Sequence, residues 1–266
     1  MNSLQHASHG RKDSTSPAVL MARRRFGRFK PEERVSTRRA DVSGDELQRL
    51  RDLRKMIRDM KPEDVLNMIT VYPKLNVFEA LALAKREGAL IVPNVIHDRI
   101  LNETRNPDFF RNSSVWTGTM IIYESPGKVF EETLVHVWKY DKVQYSISFN
   151  IPDKFRGNEG CALVVEHPDF DLVHIGNNHY ELKVADENLI HLVDHFPSGG
   201  GEWCRCEELF GIPIGSSIFD SDKRHLFRMS NSHIGLVFRY GDLVGCRRNV
   251  YACSKASYGR GVAVIE

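Results

Sequence analysis

The chain has 266 residues, 41% of them hydrophobic and 27% charged, with a formal net charge of +2. This is the composition of an ordinary globular protein, with enough apolar material for one large domain or two small ones. It excludes a helical membrane protein, because no apolar run approaches the roughly 20 residues that span a bilayer, and the short apolar run 18–22 is no secretory signal. The five cysteines (Cys161, Cys204, Cys206, Cys246 and Cys253) are an odd number. Without a secretory signal, that predicts reduced thiols and an intracellular, cytoplasmic protein.

The small net charge conceals a segregation. Residues 1–40 hold ten Lys/Arg and three Asp/Glu, or +7, which leaves 27 basic and 32 acidic residues, or −5, for the rest. The first 40 residues are rich in Ser, His and Arg and show no sustained periodicity. They have too little apolar surface to offset chain entropy, so they read as a disordered basic tail. Arg23, Arg24, Arg25, Arg28 and Lys30 can contact phosphates without reading sequence. Phe26 and Phe29 add the capacity to stack on exposed bases. A solvated solubility tail and an Arg- and Ser-containing organellar transit peptide are the alternatives.

Residues 41–105 predict a helical module. Ser43 and Glu46 have capping-box spacing. Leu47, Leu50, Leu53, Ile57 and Met60 form one apolar stripe, and packing on the body is preferred over a two-heptad coiled coil. Pro62 opens a second helix over Glu63–Thr70. Asn76 caps "VFEALALAKREG", which stops at Gly88. "ALIVPN" is extended, and "VIHDRILNE" is one more short helix.

From Trp116 the period changes to two. "WTGTMIIYE", "ETLVHVWK", "VQYSISFNI" and "CALVVE" predict strands, with a tight turn at Tyr140-Asp141-Lys142. "ADENLIHLVDHF" predicts a helix and "SGGGEW" a loop. "HIGLVFRY", "LVGCRRNVYAC" and "YGRGVAVIE" predict closing strands. The expected class is α+β: an N-terminal helical module followed by a mostly antiparallel sheet body over 106–266.

The segment "HPDFDLVHIGNNHYELKVAD", residues 167–186, predicts a β-hairpin. Its Pro168-Asp169 and Glu181-Leu182-Lys183 resemble the Pro-Asp…(Asp/Glu)-x-Lys motif of the PD-(D/E)xK nuclease superfamily. The resemblance covers under a tenth of the chain. It implies that Asp169 or Asp171 and Glu181 hold a magnesium ion while Lys183 orients or activates the attacking water. That site requires Asp171 to share a face with Glu181 and Lys183. A three-residue Gly176-Asn177-Asn178 loop puts it there; a two-residue Asn177-Asn178 loop does not. The two-residue loop gathers Val173, Ile175, Tyr180, Leu182 and Val184 on one side, so we expect that register, with Asp171 facing away.

Two further constellations arise. His191 and His195, four apart on the expected helix, together with Cys204 and Cys206 form a weak zinc candidate. Basic and aromatic residues interleave at Phe227-Arg228, Phe238-Arg239-Tyr240 and Tyr258-Gly259-Arg260. The preferred reading is core aromatics alternating with wet arginines; the alternative is a base-stacking sheet face. No phosphate-cradling Gly-rich loop or nucleophile elbow is present. The leading functional expectation is a nucleic-acid-associated protein that binds through its tail. The alternatives are the magnesium-dependent nuclease and an assembly protein with a viral coat-like basic arm.

Overall fold

The computed structural model describes residues 44–72, 75–104, 114–140, 142–198, 201–203, 206–215, 224–227, 231–241, 248–252 and 261–266. Residues Ala40–Glu266 form one compact unit. It begins with α1 (Gly44–Asp59), α2 (Pro62–Met68), β1 (Thr70–Tyr72), α3 (Val77–Glu87), β2 (Leu90–Ile91) and α4 (Asn94–Glu103). Strands follow: β3 (Ser114–Tyr123), β4 (Thr133–Tyr140), β5 (Val143–Asn150), β6 (Ala162–Glu166), β7 (Phe170–Gly176), β8 (His179–Val184), β9 (His191–Val193), β10 (Gly201–Trp203), β11 (Arg224–Phe227), β12 (His233–Gly241), β13 (Arg248–Ala252) and β14 (Gly261–Ile265). The fold is α+β, and both of its sheets are mixed.

Local chemistry explains several boundaries. Asn76 and Glu79 cap α3 reciprocally, and Gly88 ends it in the left-handed region at φ 58°. Pro62 opens α2. Other expectations change. "ADENLIHLVDHF" is no α-helix: a single 3-10 turn over Glu187–Leu189 leads into β9, which pairs with β6. Backbone pairing along the open edge of β6 overrides the helical spacing. Strands β1 and β11 were not anticipated, and β10 lies where a loop was expected.

The larger sheet runs β1-β14-β3-β12-β13-β11-β10, with β2 on β14 and with β6 and β9 continuing from β3. The smaller runs β4-β5-β8-β7. Between them Trp116, Met120, Leu163 and Leu236 of the first sheet pack on Leu134, Ile147, Phe149 and Leu182 of the second, with α3 closing one end. The opposite face of the larger sheet is covered too. There α1, α2 and α4 set Leu50, Ile57, Val65 and Ile96 against Val115, Ala263 and Ile265. Phe196, Phe210 and Ile212 cover Ile121, Val164 and Val237. The Leu50–Met60 stripe therefore packs on the body, as expected from sequence.

Burial on both faces places β3 at the centre, flanked along one edge first by β14 and then by β6. The handover occurs at Gly118. Its N–H donates to the Val92 carbonyl at 2.8 Å, and its carbonyl accepts from the His167 N–H at 2.7 Å. A Cβ here would lie 2.2 Å from the Ile91 carbonyl oxygen, a backbone atom that cannot swing aside. Gly118→Ala should therefore cost several kcal/mol, as overpacked core substitutions do. The expected outcome is a large fall in Tm or loss of soluble protein; an unchanged melting curve would refute the close approach.

Candidate functional site

The β7–β8 hairpin was expected to decide the chemistry. Asn177 and Asn178 do form a two-residue turn, at φ 49° and 57°, the conformation a tight hairpin demands. The register does not follow from it. A bulge between His174 and Gly176 absorbs one residue, so that Val173 pairs with Glu181 and Asp171 with Lys183. Asp171, Glu181 and Lys183 thus share one face, contrary to the expected division. The reason is the core. The bulged register turns Phe170, Leu172, Tyr180, Leu182 and Val184 inward onto the sandwich, and Ile175 is left 54% exposed on the bulge. Val173, expected to be buried, is only half-buried. Burying Phe170 and Leu172 outweighs burying Val173 and Ile175.

Sharing a face does not make these residues a metal site. The Glu181 carboxylate is paired with Lys183, and that of Asp171 with Lys85 of α3 at 3.3 Å. Asp169, the acid of the Pro-Asp pair, is 1% exposed and held from α1. Its two oxygens accept from Arg51 Nε and from Arg54 Nη2, each at 2.6 Å. Neighbouring Glu166 accepts from Arg58 Nη2 at 2.7 Å. Each carboxylate thus already has a cation, and as placed they do not fit magnesium. Among the described residues no group of three His, Cys, Asp or Glu side chains could hold a metal ion.

The arginines instead form a clamp. Arg51, Arg54 and Arg58 recur at helical spacing along α1 and reach across to the β6–β7 turn, where the His167–Pro168 peptide is cis. Arg54 also donates to the Glu166 and His167 carbonyls. Inside the turn, buried His167 accepts from the Ile91 N–H through Nδ1 at 3.3 Å, which leaves its proton on Nε2. Burial and the Arg54 charge push its pKa down to about 4. Burial raises the Glu166 carboxyl, against the pull of Arg58 and Arg54.

A cavity of about 280 Å³ opens between this turn, α1 and α3. Leu47, Leu50, Leu81 and Phe170 give it an apolar floor, and Lys85, Asp171 and Lys183 stand among its polar lining. It is small for a ligand site, and its ion pairs are internally neutralised.

The other candidates disperse. His191 lies in β9 and stacks at a tilt on Phe210. His195 takes φ 57° in the loop beyond, so the helical spacing that would have aimed both at one metal is gone. Cys206 forms an isolated backbone bridge with Pro213, and Cys161 is buried; Cys204, Cys246 and Cys253 lie outside the described residues, as do Arg228 and the Tyr258–Arg260 segment. Arg239 was expected to be wet and is instead 2% exposed. It pairs with Asp98 at 2.8 Å and donates to Asn94 Oδ1 at 2.6 Å. In a sheet covered on both sides, the face opposite Phe238 is also interior. Asn94 in turn donates to the Phe210 and Gly211 carbonyls, tying α4 to that loop. Sequence alternation could not reveal this pin, because its signal is a partner on a remote helix.

Neither a protein-family model, nor a curated protein, nor a solved structure matches the chain.

Two predictions follow from this geometry. Asp169→Asn leaves Arg51 and Arg54 facing a neutral amide, and breaking such a buried pair costs about 3–5 kcal/mol. Chemical denaturation should show that loss, and an unchanged midpoint would show that the clamp does not hold α1. The second concerns acid. His97 and His167 have pKa values lowered by burial to about 3 and about 4. Those of His136 and His233 are also lowered, again by burial first. These groups are neutral in both states above pH 6.5, the unfolded value. Below it the unfolded chain takes up protons that the folded one refuses, so stability falls from pH 6.5 down through about 4. Each histidine contributes at most roughly 1.4 kcal/mol per pH unit, and the raised Glu166 acts in the opposite sense. Unfolding free energy that is flat between pH 7 and 4.5 would refute the burial of these rings.

Proposed function

We propose that this protein is a nucleic-acid-associated binding protein whose basic arm supplies the phosphate contacts. The observation that carries the reading is the segregation of charge: +7 in residues 1–40 against −5 in the remainder. Arg23, Arg24, Arg25, Arg28 and Lys30 lie outside the described residues, so their support is sequence alone. Two structural facts favour the division of labour. Residues Ala40–Glu266 form a compact unit of their own. In that unit, Arg51, Arg54, Arg58 and Arg239 are committed to carboxylates, which leaves them poorly placed to contact phosphates. Among the described residues no helix is long and apolar enough to cross a membrane.

A second reading, the magnesium-dependent nuclease, draws on the shared face of Asp171, Glu181 and Lys183. Its carboxylates would have to exchange lysine for metal.

One experiment separates the two. The full chain and a chain lacking residues 1–40 are titrated with duplex DNA and single-stranded RNA over a range of salt, with and without magnesium. Each phosphate contact adds about 0.9 to the slope of log K against log salt for duplex DNA, so truncation should lower affinity and flatten the slope while the melting temperature holds. Equal binding by both chains would overturn the arm reading. Magnesium-dependent cleavage abolished by Glu181→Gln would put the nuclease in its place.

A further inference from the structure

The smaller sheet ends in two edge strands, and they differ. Edge β7 is blunted by its bulge, by Gly176 at φ 115° and by Lys85 of α3 reaching Asp171. These are the devices that protect a strand edge from pairing. Edge β4 has no bulge and no glycine, and its charged residue is Lys139. It runs in unbroken register with β5 from Thr133↔Asn150 to Tyr140↔Val143, without proline. Tyr140 and Val143 face each other across two residues, so they exchange both backbone hydrogen bonds. The alternation then directs Leu134, His136 and Trp138 toward β5. The N–H and C=O groups of Thr133, Val135, Val137 and Lys139 point the other way, and among the described residues no backbone partner meets them. The same residues put their side chains on the uncovered face, where Val135 and Val137 are 48% and 51% exposed.

We propose that β4 pairs antiparallel with β4 of a second copy of this chain across a two-fold axis at Val135, joining the two small sheets into one. Charge selects both the partner and the register. Side chains on one face must stay on that face, so edge residues pair only with edge residues. With the axis at Val135, Val135 meets its own copy, Thr133 meets Val137, and exposed Glu131 meets exposed Lys139 at both ends. Moving the axis to His136 sets Glu131 against Asp141 and loses that match. Self-pairing of β-branched residues and opposite charges across strands is favourable, and a two-fold interface repeats each contact. The contact extends the sheet sideways and covers the open edge.

Sedimentation of the full chain tests the proposal, with variants chosen to spare the fold. Val135→Pro removes an N–H that no described residue of the same chain accepts, so it should leave the melting curve intact and yield monomer. Lys139→Glu should weaken association about tenfold, by turning two attractions into repulsions, and adding Glu131→Lys should restore it. Val135→Cys should form an intermolecular disulfide on mild oxidation, since hydrogen-bonded partners sit about 5.5 Å apart at Cα. Gln144→Cys, away from the edge on β5, should cross-link no more than the native cysteines do. A chain that sediments as monomer throughout overturns the proposal. So does a dimer indifferent to Val135→Pro and to the charge swap, which would place the interface elsewhere.

Discussion

The close approach of the Ile91 carbonyl to Gly118 is the constraint from which the rest of the architecture descends. The central strand β3 is longer than either neighbour on that edge, and it changes partner midway from β14 to β6. The change requires three backbone segments at one point, and a side chain there would meet the Ile91 oxygen at 2.2 Å. Because the exchange succeeds, β2 and β14 stay beside β3 and carry the helices on one face. The same exchange starts β6 where it can run into the Pro168 turn. The arginine clamp, the cavity and the β7–β8 hairpin are all suspended from that turn.

Sheet burial on both faces has a cost that the buried ions reveal. Asp169, Glu166, Asp98 and Arg239 are interior, and unpaired charges there would be expensive. Asp169 and Glu166 are matched by Arg51, Arg54 and Arg58 from α1, and Arg239 of β12 is matched by Asn94 and Asp98 from α4. The pairing sets how each helix sits on the sheet and need not add net stability. It also changes the meaning of the Pro-Asp motif. The acid that the nuclease resemblance would assign to a metal works instead as an anchor for α1.

Much of the secondary structure was legible because it rests on short-range physics. The capped α3, the α1 stripe, the alternation of β5 and the Asn177-Asn178 turn depend on neighbours within a few residues. The hairpin register departs from the expected one for a specific reason. Turn type and the valines between the charges favour one face, but a bulge lets a strand keep its turn and still shift register, and Phe170 then decides which face is buried. The expected helix over "ADENLIHLVDHF" failed in the same way, because helical spacing yielded to the open edge of β6.

By itself, then, the sequence determined the class, the capped α3 and the apolar stripe of α1, most strands and the charge segregation between residues 1–40 and the rest; the expected Ser43 cap lies outside the described residues. These are properties of composition and of local periodicity, which act without knowledge of the fold. Only the tertiary structure decided that Arg239 is interior, that Asp169 is clamped, that Asp171 shares a face with Glu181, and that among the described residues β4 has no second strand partner while the edge of β7 is bulged. Each of those depends on a partner remote in sequence. Whether a polar side chain is solvated, paired or aimed at a ligand is set by what covers it, and that covering is assembled only when the sheet closes on both faces.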